Sequence, residues 1–357
     1  MIDKRKINID WISQVSKGNL RADKILVEKV IRALLLLEGL VVHEIPFVFK
    51  GGTALMLHLN TSKRLSIDID IILPIEVKGF EDILKKVVAE QGFTKFELQH
   101  RSANTKIKKV HYKFFYTPIH KSNKGEEYVL LDILFEEVGY ANVIEIPIKS
   151  SFVPIVGYPI TVKVPCLEDM LGDKLTAFAP NTTGIPYFKK ENSMSMEIIK
   201  QLYDIGNLFD VANDLEIIKS TFLTFAKTEL KYRAINGLTA NDVLEDIFQT
   251  SLNIVTRGTD GKGDFEQLQL GIRRINGFIF SERFHLEKAI IIASKAAYIS
   301  ILIRQDADVI EKFENPKLLK YWQIREPLNV KLNKLKKSNP EAFFYWFKIY
   351  ELIKQAK

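Results

Sequence analysis

The chain has 357 residues, of which 46% are hydrophobic and 27% charged. This composition is typical of soluble globular proteins, and the length is sufficient for two domains, each with its own core. The net charge of +7 is compatible with a polyanionic partner such as RNA, but also with enzymes that bind none. The single cysteine, Cys166, excludes an intramolecular disulfide, and residues 1–20 show no charged-then-apolar leader, so we expect a cytoplasmic protein.

A helix is predicted over residues 23–43, where apolar residues recur at helical spacing. A β-rich run, residues 47–50, follows it. Gly51 and Gly52 then allow a tight turn into a short helix over residues 54–59, which Thr53 is expected to cap. Free backbone amides at the start of this helix would face a phosphate group.

Two aspartates dominate the next predicted strand, residues 64–73. Asp68 and Asp70 are two positions apart, so they share one face of an extended strand while isoleucines occupy the other. Adjacent carboxylates repel each other unless a cation lies between them, and such oxygen ligands suit Mg²⁺. A phosphate-binding turn followed by paired carboxylates is what metal-assisted nucleotidyl transfer requires. The alternative is an ordinary glycine turn followed by a solvated edge strand.

A third aspartate lies in the β-rich part that follows. We expect a helix over residues 77–91, a strand after Gly92, a long hairpin from residues 106–116 and 127–135, and a strand over residues 160–164. Asp132 is in the middle of the apolar second arm of the hairpin. Because burial of an unpaired carboxylate is costly, we expect a neighbouring group to neutralise it, unless the position is exposed.

The sequence becomes mostly helical after Pro165, and we therefore predict an α/β domain over residues 1–165 and a helical domain over residues 166–357. Helices are expected over residues 167–178, 196–212, 241–254, 265–280, 282–304 and 340–355. The most apolar of these stretches, residues 289–303, is too short and too charged for a membrane span. Arg273, Arg274 and the lysines of residues 331–337 fit either a nucleic-acid backbone or a solvated face.

Two motifs resemble a known signature. Lys50-Gly51-Gly52-Thr53-Ala54-Leu55 and Arg64-x-Ser66-x-Asp68-Ile69-Asp70 are similar to the Gly-Gly-Thr/Ser and Asp-x-Asp motifs of the DNA polymerase β-like nucleotidyltransferases. Within that superfamily they resemble most the AbiEii/AbiGii family of nucleotidyltransferase toxins, from type IV toxin–antitoxin and abortive-infection systems. Asp173-Lys174-Leu175-Thr176-Ala177 and the run from Lys200 to Ile205 resemble two later motifs, although Gln201 stands where the family usually has a second acid.

The resemblance implies an α/β plus α protein, with a polymerase-β-like domain built on a mixed sheet and a helical domain after it. It implies that three residues are catalytic and hold Mg²⁺: Asp68, Asp70 and Asp132. It also implies a set of nucleotide-binding residues: Lys50, Gly51, Gly52, Thr53, Ser66, Lys174 and Asp204. In this set Lys174 would contact the triphosphate, and Asp204 would orient Lys174 or line the nucleotide pocket. The alternative is that Asp204 only pairs with Lys200, one helical turn away.

The implied reaction is transfer of a nucleoside monophosphate from an NTP to an acceptor, which the resemblance suggests is a tRNA 3′ end or a protein hydroxyl. A co-encoded antitoxin would be a possible regulatory partner. Two alternatives share the same carboxylates. One is a small-molecule nucleotidyltransferase of the antibiotic-modifying type, and the other is a non-catalytic protein that binds a nucleotide or a partner.

Overall fold

The computed structural model describes residues 1–59, 63–99, 109–120, 125–233, 235, 237–314 and 317–355. Two compact units make up the chain: the first comprises Met1–Cys166 and Gly277–Arg283, and the second comprises Leu167–Asn276 and Phe284–Lys357. The fold class is α/β plus α, as predicted, because the first unit contains a mixed sheet and the second is mainly helical. Whether residues 1–165 and 166–357 are independent domains stays a prediction.

The first unit combines four helices with seven strands among the described residues. They are α1 (Ile9–Gly18), α2 (Lys24–Val42), β1 (Val48–Lys50), α3 (Gly51–His58), β2 (Ile69–Ile72), α4 (Phe80–Gln91), β3 (Lys95–Gln99), β4 (Lys109–Tyr116), β5 (Glu127–Leu134), β6 (Val143–Pro147) and β7 (Thr161–Pro165). In this part of the chain, five strands form one sheet in the order β1-β2-β5-β4-β3. Strand β2 runs parallel to β5, and the other neighbours are antiparallel.

The core of the first unit lies on one face of this sheet. Alternate residues of β5 are buried, among them Leu131 and Ile133, and Ile69 and Ile71 of β2 are in register with them. Helix α2 packs against β2 and β5, and α4 packs against α2 and β3. The apolar periodicity of residues 23–43 therefore marks a helix that covers the sheet, and the side chain of Asp23 caps its first turn. The opposite face of the sheet remains available for polar side chains.

Several predictions for this unit need adjustment. Helix α1 and strand β6 were not predicted, and β2 begins at Ile69, so it is shorter than the expected strand over residues 64–73. The described parts of the predicted hairpin, β4 and β5, are antiparallel neighbours as expected. Residues 106–108 and 121–124, which were also assigned to the hairpin, lie outside the described residues.

The second unit contains eight helices and a short strand pair among the described residues. They are α5 (Leu167–Ala177), β8 (Phe188–Lys189), β9 (Asn192–Ser193), α6 (Ser195–Val211), α7 (Leu215–Tyr232), α8 (Ala240–Val255), α9 (Phe265–Arg274), α10 (Leu286–Arg304), α11 (Leu335–Ser338) and α12 (Pro340–Gln355). Helix α10 packs against α6, α8 and α12, and the indole of Trp346 donates to the hydroxyl of Ser294 at 2.9 Å. Throughout the described part of the chain, no helix combines the length and apolar character needed to cross a membrane.

A segment from the later half of the sequence belongs to the first unit. We call Gly277–Arg283 the return segment. Arg64 and Ile279 form an isolated antiparallel bridge, and the amide of Leu65 donates to the carbonyl oxygen of Phe278 at 2.7 Å. The predicted helix over residues 265–280 is therefore wrong beyond α9 and the 3-10 turn that follows it. Asn276 and Gly277, both poor helix formers, mark the place where the helix ends.

Candidate active site

The glycine turn between β1 and α3 is closely packed by polar side chains. Gly51 has φ +80°, and a Cβ at this position would overlap the carboxylate of Asp70. A Cβ on Gly52 would lie 2.6 Å from Nη2 of Arg64 and 2.7 Å from Oγ of Ser66. Any other residue at position 51 would therefore be strained, and a residue larger than glycine at position 52 would have to displace the side chain of Arg64 or Ser66. The small size of the two glycines brings the backbone of the turn next to a carboxylate, a guanidinium and a hydroxyl.

The prediction that Thr53 caps the short helix is wrong. Helix α3 begins at Gly51, with Lys50 as the N-cap residue, so Thr53 lies inside the first turn. Its side chain is buried, and its Oγ1 hydroxyl donates to the carbonyl oxygen of Asp68 at 2.6 Å. The hydroxyl therefore ties α3 to the residue that precedes β2. A role for Thr53 in nucleotide binding stays a prediction.

A line of polar residues crosses the sheet on the face opposite the core. Lys50 is paired with Asp70, Asp70 with Asp132, Asp132 with His111, and His111 with Gln99, each on the adjacent strand. We call these five residues the polar row. In-register neighbours in a sheet point to the same face, so the row places two of the predicted carboxylates side by side. Lys50 lies next to Asp70 on one side of these two carboxylates, and His111 lies next to Asp132 on the other side.

Asp132 has the partner that its position in an apolar strand predicts. The Nδ1–H of His111 donates to Oδ1 of Asp132 at 2.6 Å, and the two side chains are 15% and 30% exposed. The expected partner is therefore an imidazole from β4. The burial that prompted the expectation is only partial, because β5 alternates and Asp132 is on its less buried face. Both alternatives for this residue were thus partly right.

Asp68 differs in position from the other two carboxylates. It directly precedes β2, and the buried Ile69 separates it from Asp70. Asp68 and Asp70 are both half-buried, as expected for residues two apart on the same side of an extended chain. Among the residues that the structure describes, no three or more His, Cys, Asp or Glu side chains are grouped so that they alone could hold a metal ion.

Arg64 and His111 contact predicted site residues, although sequence reasoning did not assign either of them. Arg64 is only 8% exposed; its Nη1 donates to the carbonyl oxygen of Leu65 at 3.1 Å, while Nη2 lies against Gly52. Its place in the Arg64-x-Ser66-x-Asp68 motif was a usable signal. No local signal marked His111, because its relation to Asp132 depends on the register of β4 with β5.

The two predicted site residues of the second unit form an ion pair there. Nζ of Lys174, on α5, lies 3.0 Å from Oδ2 of Asp204, on α6. Lys174 also donates to Oε1 of Gln201 at 2.9 Å. Asp204 is buried, so its pair with Lys174 is not a solvated surface pair. The role of the two residues in nucleotide binding stays a prediction.

A known protein family matches most of this chain. The family model described as "Nucleotidyl transferase AbiEii toxin, Type IV TA system" matches residues 35–288, which is more than half of the chain. This protein belongs to the AbiEii family. The matched region contains the glycine turn, the polar row, the Lys174–Asp204 pair and the return segment. As a member of the AbiEii family, the protein is a nucleotidyltransferase, as the sequence motifs predict.

Comparison with solved structures finds similar chains at low sequence identity. JHP933 from Helicobacter pylori has 16% identity and a TM-score of 0.42, with coverage of 80% of this chain and 94% of that chain. An antigenic nucleotidyltransferase-like protein from Paracoccidioides brasiliensis has 14% identity and a TM-score of 0.34, with coverage of 57% and 93%. No curated protein matches the sequence.

Proposed function

We propose that this AbiEii protein is a Mg²⁺-dependent toxin that transfers a nucleoside monophosphate from an NTP to the 3′ end of a tRNA or to a protein hydroxyl. One observation carries the proposal. Asp70 and Asp132 are in register on adjacent strands, and the glycine turn brings its backbone against Asp70. Anionic side chains next to a tight backbone turn are the parts that metal-assisted transfer of a phosphoryl-type group requires.

The donor set suits Mg²⁺. Carboxylate oxygens are the ligands that this cation prefers, and Mg²⁺ is usually held by one or two carboxylates together with substrate phosphates. Asp70 and Asp132 would supply these oxygens, with Asp68 as the third carboxylate of the motif. Such an ion would neutralise charge on the phosphates as pyrophosphate leaves.

The other residues would bind and orient the nucleotide. The backbone of Gly51 and Gly52 would approach the β- and γ-phosphates, and the side chains of Lys50 and Ser66 would contact the same groups. Thr53, which is buried, would support nucleotide binding by holding α3 against Asp68. We also assign Lys174 to the phosphates and Asp204 to holding Lys174. The supports for this assignment are the family motif and the ion pair within the second unit. An ammonium can offset phosphate charge without lying in the metal site.

The proposed reaction exchanges a phosphoanhydride bond for a phosphodiester bond. The acceptor hydroxyl oxygen attacks the α-phosphorus of the NTP, and the bond from that phosphorus to the bridging oxygen of pyrophosphate breaks. Because His111 donates to Oδ1 of Asp132, the free Oδ2 is the atom that would take the hydroxyl proton. Family membership supports growth arrest as the outcome and a co-encoded antitoxin as a partner.

The test is a labelling assay. The purified protein is incubated with each α-³²P-labelled NTP, Mg²⁺, and either total tRNA or total cell protein. We expect label in one of the two macromolecular fractions, and we expect Asp70→Asn and Asp132→Asn to reduce the labelling rate at least about 100-fold, because each removes a carboxylate charge that would hold the metal ion. Digestion with ribonuclease or protease identifies the acceptor class.

Asp82→Asn is the matched control, since Asp82 is an exposed carboxylate paired with Lys85 on α4. It should label at the rate of the unmodified protein. Label that survives in Asp70→Asn would contradict the assignment of the site. If no macromolecule is labelled but a small hydroxyl compound is, the antibiotic-modifying type of acceptor replaces the tRNA or protein. If nothing is labelled and NTP still binds, the protein has a binding role.

A further inference from the structure

His111, a residue of the polar row, is in direct contact with a predicted catalytic carboxylate. The Nδ1–H of His111 donates to Oδ1 of Asp132 at 2.6 Å. The register of β4 with β5 places the two residues directly opposite each other. His111 is itself well fixed, because its neighbours Val110 and Tyr112 lie on the opposite face of β4, where Tyr112 is buried.

Solvation alone does not explain this contact. The side chain of Asp132 is 30% exposed, so water can satisfy its charge without help from an imidazole. What water cannot do is fix the carboxylate plane. The terminal torsion of an aspartate side chain is broad and roughly two-fold, so an exposed carboxylate samples many orientations. A hydrogen bond to one oxygen from a histidine held in a strand restricts that rotation.

We propose that His111 is a positioning residue that holds the Asp132 carboxylate in one orientation next to Asp70. The proposal rests on the proposed function, because it concerns the same carboxylate pair. His111 engages Oδ1 and thereby leaves Oδ2 directed to one place, for the metal or for the acceptor hydroxyl. Partners that orient metal ligands in this way typically change metal affinity or activity about 10- to 100-fold when they are removed.

Three substitutions separate positioning from simple packing. His111→Asn keeps an amide nitrogen close to the place of Nδ1, His111→Gln moves that nitrogen further from the backbone, and His111→Phe keeps the ring shape without a donor. We expect His111→Phe and His111→Gln to lower kcat about 10- to 100-fold with little change in KM for NTP, and we expect His111→Asn to recover most of the loss.

A second readout does not depend on turnover. Mn²⁺ is titrated into each variant with a non-hydrolysable NTP analogue present, and electron paramagnetic resonance counts the free ion. The dissociation constant for Mn²⁺ should rise in the same order as kcat falls. Lys113→Ala is the matched control, because Lys113 is two residues along β4 and lies over the ring of Tyr128. Lys113→Ala should leave both quantities unchanged.

The outcomes distinguish the two proposals. If the unmodified protein neither transfers label nor binds Mn²⁺ with the analogue, the proposed function fails. If the unmodified protein does both and His111→Phe equals it, the positioning role is overturned. The role is also overturned if His111→Asn and His111→Phe lose activity equally, or if the loss follows only a lower unfolding midpoint, since either result would mean that His111 serves packing.

Discussion

At the start of α3, the carboxylate of Asp70 occupies the space that a side chain at position 51 would need. Gly51 adopts φ +80°, which other residues reach only at a cost, and the carboxylate of Asp70 fills the place of its missing side chain. The identity of residue 51 therefore sets how near the backbone comes to the polar row. A residue that has no side chain thus limits where a predicted catalytic carboxylate can lie.

Gly51→Ala should disable the site and weaken the fold. The left-handed backbone alone costs roughly 1–2 kcal/mol for a residue with a Cβ, and displacement of Asp70 adds to this. We expect a lower free energy of unfolding in urea and a transfer rate reduced about 100-fold, since a shift of 1 Å at a reacting group can have that effect.

Gly18→Ala is the control for this change, because Gly18 ends α1 and a Cβ there meets no atom within 4 Å. It should be neutral or slightly stabilising. Equal activity in Gly51→Ala and the unmodified protein would show that Asp70 can move away without harm, and the close approach of turn and carboxylate would then have no functional meaning.

Sequence reasoning located residues whose chemistry is local and missed those whose role depends on a distant partner. Gly51, Asp70 and Asp132 were identified because glycine pairs and acids in apolar strands are visible in a short window. His111 was not, because its partner lies on the neighbouring strand and register cannot be read from residues 109–116 alone. Thr53 was assigned to capping, its commonest use next to a helix, whereas its hydroxyl bonds to Asp68.

At the scale of elements, the return segment is the part that the sequence predicted least well. Phe278, Ile279 and Phe280 continue the apolar spacing of α9, so the pattern predicts more helix. In the structure Phe280 packs against the ring of Phe152 with centroids 5.8 Å apart, and the hydroxyl of Ser281 donates to the carbonyl oxygen of Lys63 at 3.0 Å. The apolar residues are buried as expected, but against residues far away in the sequence.

The side chain of Asn276 connects the two residues that flank the return segment, Asn276 and Phe284. Its Nδ2 donates to the carbonyl oxygen of Phe284 at 2.9 Å, and its Oδ1 accepts from the amide of Phe284 at 2.9 Å. Asn276→Ala should lower the free energy of unfolding by about 2 kcal/mol, because buried hydrogen-bonding groups of Phe284 lose their partner. Urea denaturation followed by circular dichroism measures this change.

Asn207→Ala provides the comparison for Asn276→Ala. The side chain of Asn207 donates to a single carbonyl oxygen, that of Tyr203 on the same helix, at 2.9 Å. Its loss should cost clearly less. If Asn276→Ala is as mild as Asn207→Ala, the two backbone groups of Phe284 find other partners, and Asn276 does not determine the path of the chain.

At the scale of the whole molecule, the first unit is discontinuous in sequence. Residues 1–166 contain its sheet, but the partner of Leu65 comes from residues 277–283. In the full-length protein the amide of Leu65 should therefore exchange slowly with deuterium, and in a fragment of residues 1–166 it should exchange rapidly. Hydrogen exchange read by mass spectrometry tests this, and slow exchange in both would show that the return segment is dispensable.

The first unit includes the return segment, which follows residues 167–276 of the second unit in the sequence. The two halves of the gene therefore cannot be exchanged independently. A recombination event near codon 166 would leave the sheet whole but would separate the loop around Leu65 from the return segment that it bonds to, so exchanges between relatives should be tolerated only when both segments come from the same parent. The order of synthesis has a parallel consequence. During synthesis, the loop around Arg64 and Ser66 cannot form its hydrogen bonds to the return segment until that segment has been translated.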